Sequence, residues 1–273
     1  MDPNTYTLTY ILDGGSFNAS TTQLFKYGSG DAISSEIPIK TGYDFVGWKW
    51  GDVIMQPGDK INKGWGNFTL AAQWEKKSYS AGTTLNIEGF QYIVIEQKDN
   101  DKYLVIRNES IGNKAFQSSS RSDSLNFNTY EGSEIDNYLE NEWYSSLSST
   151  MKAAIQPINI KQSSYSDDSP NAKQETGYNG QIYNTLKRHV YLPSVDEIGK
   201  AVDLTNADKV KTFLNGTSIW TRDSLQRGPL SVETLNADDG CLQNNDVYMS
   251  YGVQPSFVID LSKIDYTVTG TIN

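Results

Sequence analysis

The sequence predicts an α+β fold divided between two domains, residues 5–77 and residues 80–264, and three observations predict it. Short apolar runs with alternating polarity recur along the chain, the period of strands buried on one face. Two segments, opening at Ser133 and at Ser194, place apolar residues at helical spacing behind a serine that an acidic side chain follows three residues on. Between the halves, Lys76-Lys77-Ser78-Tyr79-Ser80-Ala81-Gly82 is short and polar, and the domain boundary is placed there. At 273 residues the chain is long enough for each half to bury a core.

In the first domain, Tyr6 to Leu12 alternates at period two and runs into Asp13-Gly14-Gly15, a strand entering a tight turn. Leu24 to Tyr27, Phe45 to Trp48 and Phe68 to Trp74 read as further strands, separated by Gly- and Pro-rich stretches. Gly42 and Gly47 each stand beside a large aromatic, where a tight turn or close approach needs a residue without Cβ. Trp48 and Trp74 are read as core.

The second domain opens with a hairpin, Gln91 to Glu96 and Lys102 to Arg107, turned by Asp99-Asn100-Asp101. Ile135, Leu139, Trp143 and Leu147 form the buried stripe of the first helix, and residues 156–180 read as a polar surface loop. Ser194 and Glu197 frame a short second helix to about Val202. From Asn215 to Leu261 two apolar strands, ending in Ile219-Trp220 and Phe257-Val258-Ile259, bracket a polar, aromatic-dotted segment. Rigid strands flanking such a segment are a means of presenting a binding surface.

Composition excludes several functions. Net charge is −10, carried almost wholly by residues 78–273, which opposes tracking of nucleic-acid phosphates or binding to anionic lipid. One cysteine, Cys241, and one histidine, His189, leave no disulfide framework and no multi-Cys or multi-His metal centre. No apolar run reaches bilayer-spanning length, and no basic leader followed by an apolar segment is visible. A Ser/His/Asp triad would have to use His189 and lacks a G-x-S-x-G elbow. The adjacent carboxylates Asp167/Asp168, Asp238/Asp239 and Glu140/Glu142 do not supply the cleft-spanning pair of a glycosidase. Asp238, Asp239, Asn244 and Asp246 are the oxygen ligands to test for calcium, yet their order lacks a third ligand, and no metal and no cofactor is expected. What remains is a binding face on Arg222, Gln226, Arg227, Asn236, Asn244, Asn245, Tyr248 and Tyr251, residue types that give contact area and adaptable hydrogen bonds. For Arg222 a buried ion pair beside Trp220 stands as the other reading, and Tyr251 is equally placed to pack under the last strand.

Two resemblances extend this reading. Tyr6 to Gly15, Pro38 to Trp48 and Phe68 to Trp74 occur in the order of three motifs of the small β-grasp-like B-repeat of internalins and related bacterial adhesins. That resemblance implies a spacer or adhesive module without catalysis. Residues 130–144, 190–198, 220–224 and 251–259 resemble an uncharacterised domain of Firmicutes-type surface and phage-linked proteins. Its closing motifs are similar to the C-type-lectin-like fold in the branch of the formylglycine-generating enzyme. Catalysis in that branch depends on paired cysteines, which this chain lacks. Variable proteins diversified by retroelements share the branch and vary just before the final strand, here 220–252. Together these imply a non-catalytic, adhesin-like protein at the cell surface or on a phage. Its expected partner is a protein or glycan on a host or neighbouring cell, without nucleic acid or membrane insertion. The alternatives are a spacer module of a larger adhesin and a carbohydrate-active enzyme.

Overall fold

The computed structural model describes residues 4–61, 66–119, 127–160, 164–166, 169–174, 186–225 and 230–272. The chain divides into two compact units, Met1–Ser78 and Tyr79–Asn273.

Unit 1 holds β1 (Thr5–Ile11), β2 (Thr22–Lys26), β3 (Tyr43–Trp50), β4 (Val53–Met55) and β5 (Phe68–Lys76) in one sheet of order β2-β1-β5-β3-β4. β1 lies parallel to β5, and the other neighbours are antiparallel. Period-two alternation sends Leu8, Tyr10, Phe25, Phe68 and Leu70 to one face, where they bury with Trp48. Tyr10, Phe17 and Phe45 ring the Trp48 indole with centroids 4.8–5.6 Å away. Gly47 sits at a register shift with φ +150°, and a Cβ there would run into Ile54.

Unit 2 opens with β6 (Thr83–Ile87), β7 (Phe90–Asp99), β8 (Lys102–Arg107) and β9 (Asn113–Ala115). Next come α1 (Glu134–Asn137), a π-helical segment Tyr138–Trp143, α2 (Tyr144–Ser146) and α3 (Ser149–Ala154). Short strands follow: β10 (Ile155–Gln156), β11 (Ile158–Ile160), β12 (Ser164–Ser166), β13 (Ser169–Gln174) and β14 (Leu186–Arg188). After α4 (Val195–Ala201) and α5 (Ala207–Leu214) the chain returns to strands. These are β15 (Ile219–Leu225), β16 (Ser231–Leu235), β17 (Leu242–Asp246), β18 (Ser250–Gly252), β19 (Ser256–Asp260) and β20 (Thr267–Thr271). One antiparallel sheet runs β10-β19-β8-β7-β6-β20, and a second runs β13-β12-β15-β16-β17 with β18 joining β15 to β9. All five residues of β19 and the four central residues of β8 are buried, so both faces at the centre of the first sheet are covered. The core spans both sheets and gathers Tyr92, Tyr103, Trp143, Trp220 and Phe257.

The expected α+β class is corrected to a β-rich fold. Among the described residues 43% are in strands and 16% in helices, and the longest helix has eight residues. In unit 1 every described element is a strand. Two local causes account for the misreading. In the polar, Pro-containing segment 156–180 the described residues form β11, β12 and β13 and part of β10, where a loop was expected, and residues 161–163, 167–168 and 175–180 lie outside the described residues. The helix expected from Ser133 breaks into a four-residue α1, six residues of π-helix and a three-residue α2. A wider π-turn keeps Ile135, Leu139 and Trp143 buried without a regular α-helix, and residue spacing does not distinguish the two.

Candidate functional site

β15 begins in the core and stays there. Trp220 is fully buried, donates from Nε1 to the Lys114 carbonyl at 2.8 Å, and meets Phe116 and Tyr251 edge-on at 5.8 and 4.9 Å. The next four residues, Thr221 to Ser224, are polar yet buried. Such a run survives burial only if its groups are paired. Arg222 Nη2 donates to Glu197 Oε1 at 3.0 Å and Nη1 donates both to Glu197 Oε2 and to the Leu192 carbonyl. The guanidinium also lies 5.2 Å from the Tyr191 ring centroid. Glu197 accepts the Ser194 amide at 2.9 Å, closing the capping box of α4, and Asp223 accepts the Val195 amide at 2.5 Å. Burial pushes the Glu197 carboxyl up, but the charge and hydrogen bonds of Arg222 outweigh it and hold the group below the usual carboxylate value. Arg222 therefore clamps β15 to α4 and faces no solvent.

The other nominated residues separate in the same way. Asn236 shapes the β16–β17 hairpin tip: its Oδ1 accepts the Asp238 amide at 2.7 Å and its Nδ2 donates to Gln243. Asn245 donates to Thr234 Oγ1 at 2.6 Å, across the ladder. Asn244 is exposed, and with its amide oriented so that the nitrogen faces Glu233 it donates to both carboxylate oxygens at 2.6 and 3.2 Å. Tyr251 is half-buried and packs against Trp220 of β15 rather than under the last strand. Tyr248 differs: it is 46% exposed beside Met249, 49% exposed. Gln226 and Arg227, with the Asp167/Asp168 pair, lie outside the described residues.

The turn that carries Tyr248 and Met249 is fixed from beneath. Val247 is fully buried, its amide donates to the Leu230 carbonyl at 2.8 Å, and its own carbonyl accepts from Gln117. The Tyr248 amide donates to Asp246 Oδ1 at 3.1 Å, the Met249 amide to the Asp246 carbonyl at 2.9 Å, and the Tyr248 ring meets Phe127 edge-on at 6.1 Å. β17 ends its sheet path, so Gln243 to Asp246 form a polar edge leading into this turn.

The proposed calcium ligands do not converge. Asp239 is engaged at the hairpin tip with Cys241 and Gln243, whereas Asp246 stands at the far end of β17, four residues beyond Leu242 and roughly 13 Å away at the usual strand rise. Among the described residues no group of three or more His, Cys, Asp or Glu side chains is placed to hold a metal. Glu140 and His189 are joined, Oε1 to Nδ1 at 2.7 Å, with the imidazole stacked 4.4 Å from Tyr144. The Glu140 carboxylate also accepts the His189 and Val190 amides, so this pair pins β14 and its exit to the π-helical segment.

A second feature escaped the sequence reading. β18 pairs with β9, Tyr251 opposite Lys114, and beside β9 opens a cleft of about 480 Å³ lined by Lys114, Ser118, Glu134, Asn137, Tyr138 and Glu142 among others. Its residues come from β9, the loop after it, α1 and the π-helical segment, and no motif joins them. The unusual helix is the one signal, and it is visible only in the fold.

These features define a two-unit, β-rich chain with a rigid exposed turn and a polar cleft on its larger unit. The chain belongs to the family described as Domain of unknown function (DUF6273), whose model matches residues 100–261, more than half of the chain. No curated protein and no solved structure matches it.

Proposed function

We propose that the protein is a non-catalytic, adhesin-like binding protein of a cell surface. In this reading unit 2 contacts a protein on a neighbouring or host cell through the Tyr248–Met249 turn and the adjoining edge of β17, and unit 1 serves as a spacer. One observation carries the reading: two adjacent large side chains stand about half exposed on a turn whose backbone is locked by buried Val247. A turn whose backbone is already ordered binds without the cost of ordering that backbone. Tyrosine and methionine are enriched at the centres of protein interfaces, and an open strand edge adds backbone donors and acceptors beside them.

The test is saturable binding of the labelled, full-length chain to intact bacterial and epithelial cells, before and after proteinase treatment of the cells. Binding that proteinase abolishes is expected. Absence of saturable binding would favour a spacer role, and binding that survives proteinase would remove the protein partner.

A further inference from the structure

We infer that the cleft beside β9 is a saccharide-binding site, taking a neutral sugar ring through vicinal hydroxyl groups. It shares no lining residue with the Tyr248–Met249 turn and goes beyond the reading above.

The inference rests on which groups in the cleft are already engaged. Glu134 is spent: its carboxylate accepts the Ser118 and Ser119 amides at 3.0 and 3.1 Å and both hydroxyls at 2.5 Å. Burial pushes that carboxyl up, but these four donors outweigh it and hold it ionised, a fixed wall of the cleft. Lys114 is not spent. Its ammonium lies 3.8 Å from the Tyr138 ring centroid and, among the described residues, has no ion pair and no hydrogen bond. The Glu142 carboxylate and the Tyr138 hydroxyl are likewise without a hydrogen-bonded partner among the described residues, and Asn137, whose Nδ2 donates to the Gly132 carbonyl at 3.1 Å, keeps its Oδ1. Burial raises the Tyr138 phenol, and the neighbouring charge of Glu142 adds to it, so the phenol stays protonated and able to donate.

The cleft thus presents a cationic donor, an anionic acceptor, an amide acceptor and a phenol within one space. A simple anion would meet Lys114 but also Glu134 and Glu142, on a chain of net charge −10. A simple cation would meet the Lys114 ammonium. A ligand whose neighbouring groups each donate and accept satisfies both charges without bringing a charge of its own, and vicinal hydroxyls on a ring do this. Lys114 donates to one hydroxyl oxygen while Glu142 accepts from the next, and charge-assisted hydrogen bonds of this kind are stronger than neutral ones. The volume lies within the usual range for small-molecule sites.

Titration calorimetry and saturation-transfer NMR on the full chain test the site. The probes are the methyl glycosides of glucose, galactose, mannose and N-acetylglucosamine and their disaccharides, with glycine, acetate and inorganic phosphate as controls. At least one glycoside is expected to bind, with affinity falling about tenfold or more in Lys114→Gln and in Glu142→Gln, each the loss of one charge-assisted bond. The Tyr248→Ser/Met249→Ser variant should bind the same glycoside as the parent does, so this site and the protein-binding turn fail separately. No binding by any glycoside, preference for glycine or an anion, or unchanged affinity in both charge variants would each overturn the assignment. Both substitutions are at exposed side chains, and an unchanged melting temperature separates lost binding from lost folding.

Discussion

Arg222 carries its charge into the interior, and what that charge meets decides its role. Its guanidinium is buried and tied to Glu197 on α4, with a further hydrogen bond to the Leu192 carbonyl. Replacing it by alanine strands a largely buried carboxylate, 14% exposed, which costs about 3 kcal/mol. Arg222→Ala should therefore lower stability by that amount in urea unfolding, whereas Arg222→Met with Glu197→Leu should recover most of it. A loss under about 1 kcal/mol for the single change would contradict the clamp. The sequence offered the ion-pair reading beside the binding one but could not name the partner, which lies 25 residues away on another element. Tyr248 was nominated for the same reasons as Tyr251; the difference between them, exposure against packing on Trp220, depends on the fold.

Single elements were legible where their signals are local. The capping box at Ser194, the turn at Asp99-Asn100-Asp101 and the core role of Trp48 all follow from neighbouring residues. The strands between 156 and 174 were not, because short polar segments pair through partners such as β14 and β15 that periodicity cannot reveal. Nor was α5, whose cap Asn206 accepts the Asp208 and Lys209 amides. The hairpin tip between β16 and β17 packs on the start of that helix. Gly240 there has φ +72°, and a Cβ would strike the Ala207 backbone. Gly240→Ala should destabilise unit 2 by about 1–3 kcal/mol, combining left-handed strain with a steric clash. A melting temperature equal to the parent's would show that the tip does not dock as described.

At the scale of the whole molecule, buried phenols make stability depend on alkaline pH. Burial, opposed by Arg107 and reinforced by Glu88, pushes the Tyr92 phenol from 10.0 up to about 12, and complete burial pushes Tyr130 and Tyr191 well up also. The unfolded chain loses these protons first. Their contribution to stability is therefore intact below pH 10 and declines as pH rises from there through about 12. Equilibrium unfolding followed across that window should show stability falling with pH, and the fall should be shallower in Tyr92→Phe. A flat profile would contradict the burial of these rings as ionisable groups.

In the proposed function the larger unit binds through a preformed contact surface at the Tyr248–Met249 turn. The most direct measurement compares equilibrium binding isotherms of the parent and the Tyr248→Ser/Met249→Ser variant on the same intact cells, with melting temperatures recorded for both. The account predicts at least about a tenfold weaker isotherm at an unchanged melting temperature, as expected for loss of two interface anchors. Superimposable isotherms would place the contact elsewhere on the protein and contradict it.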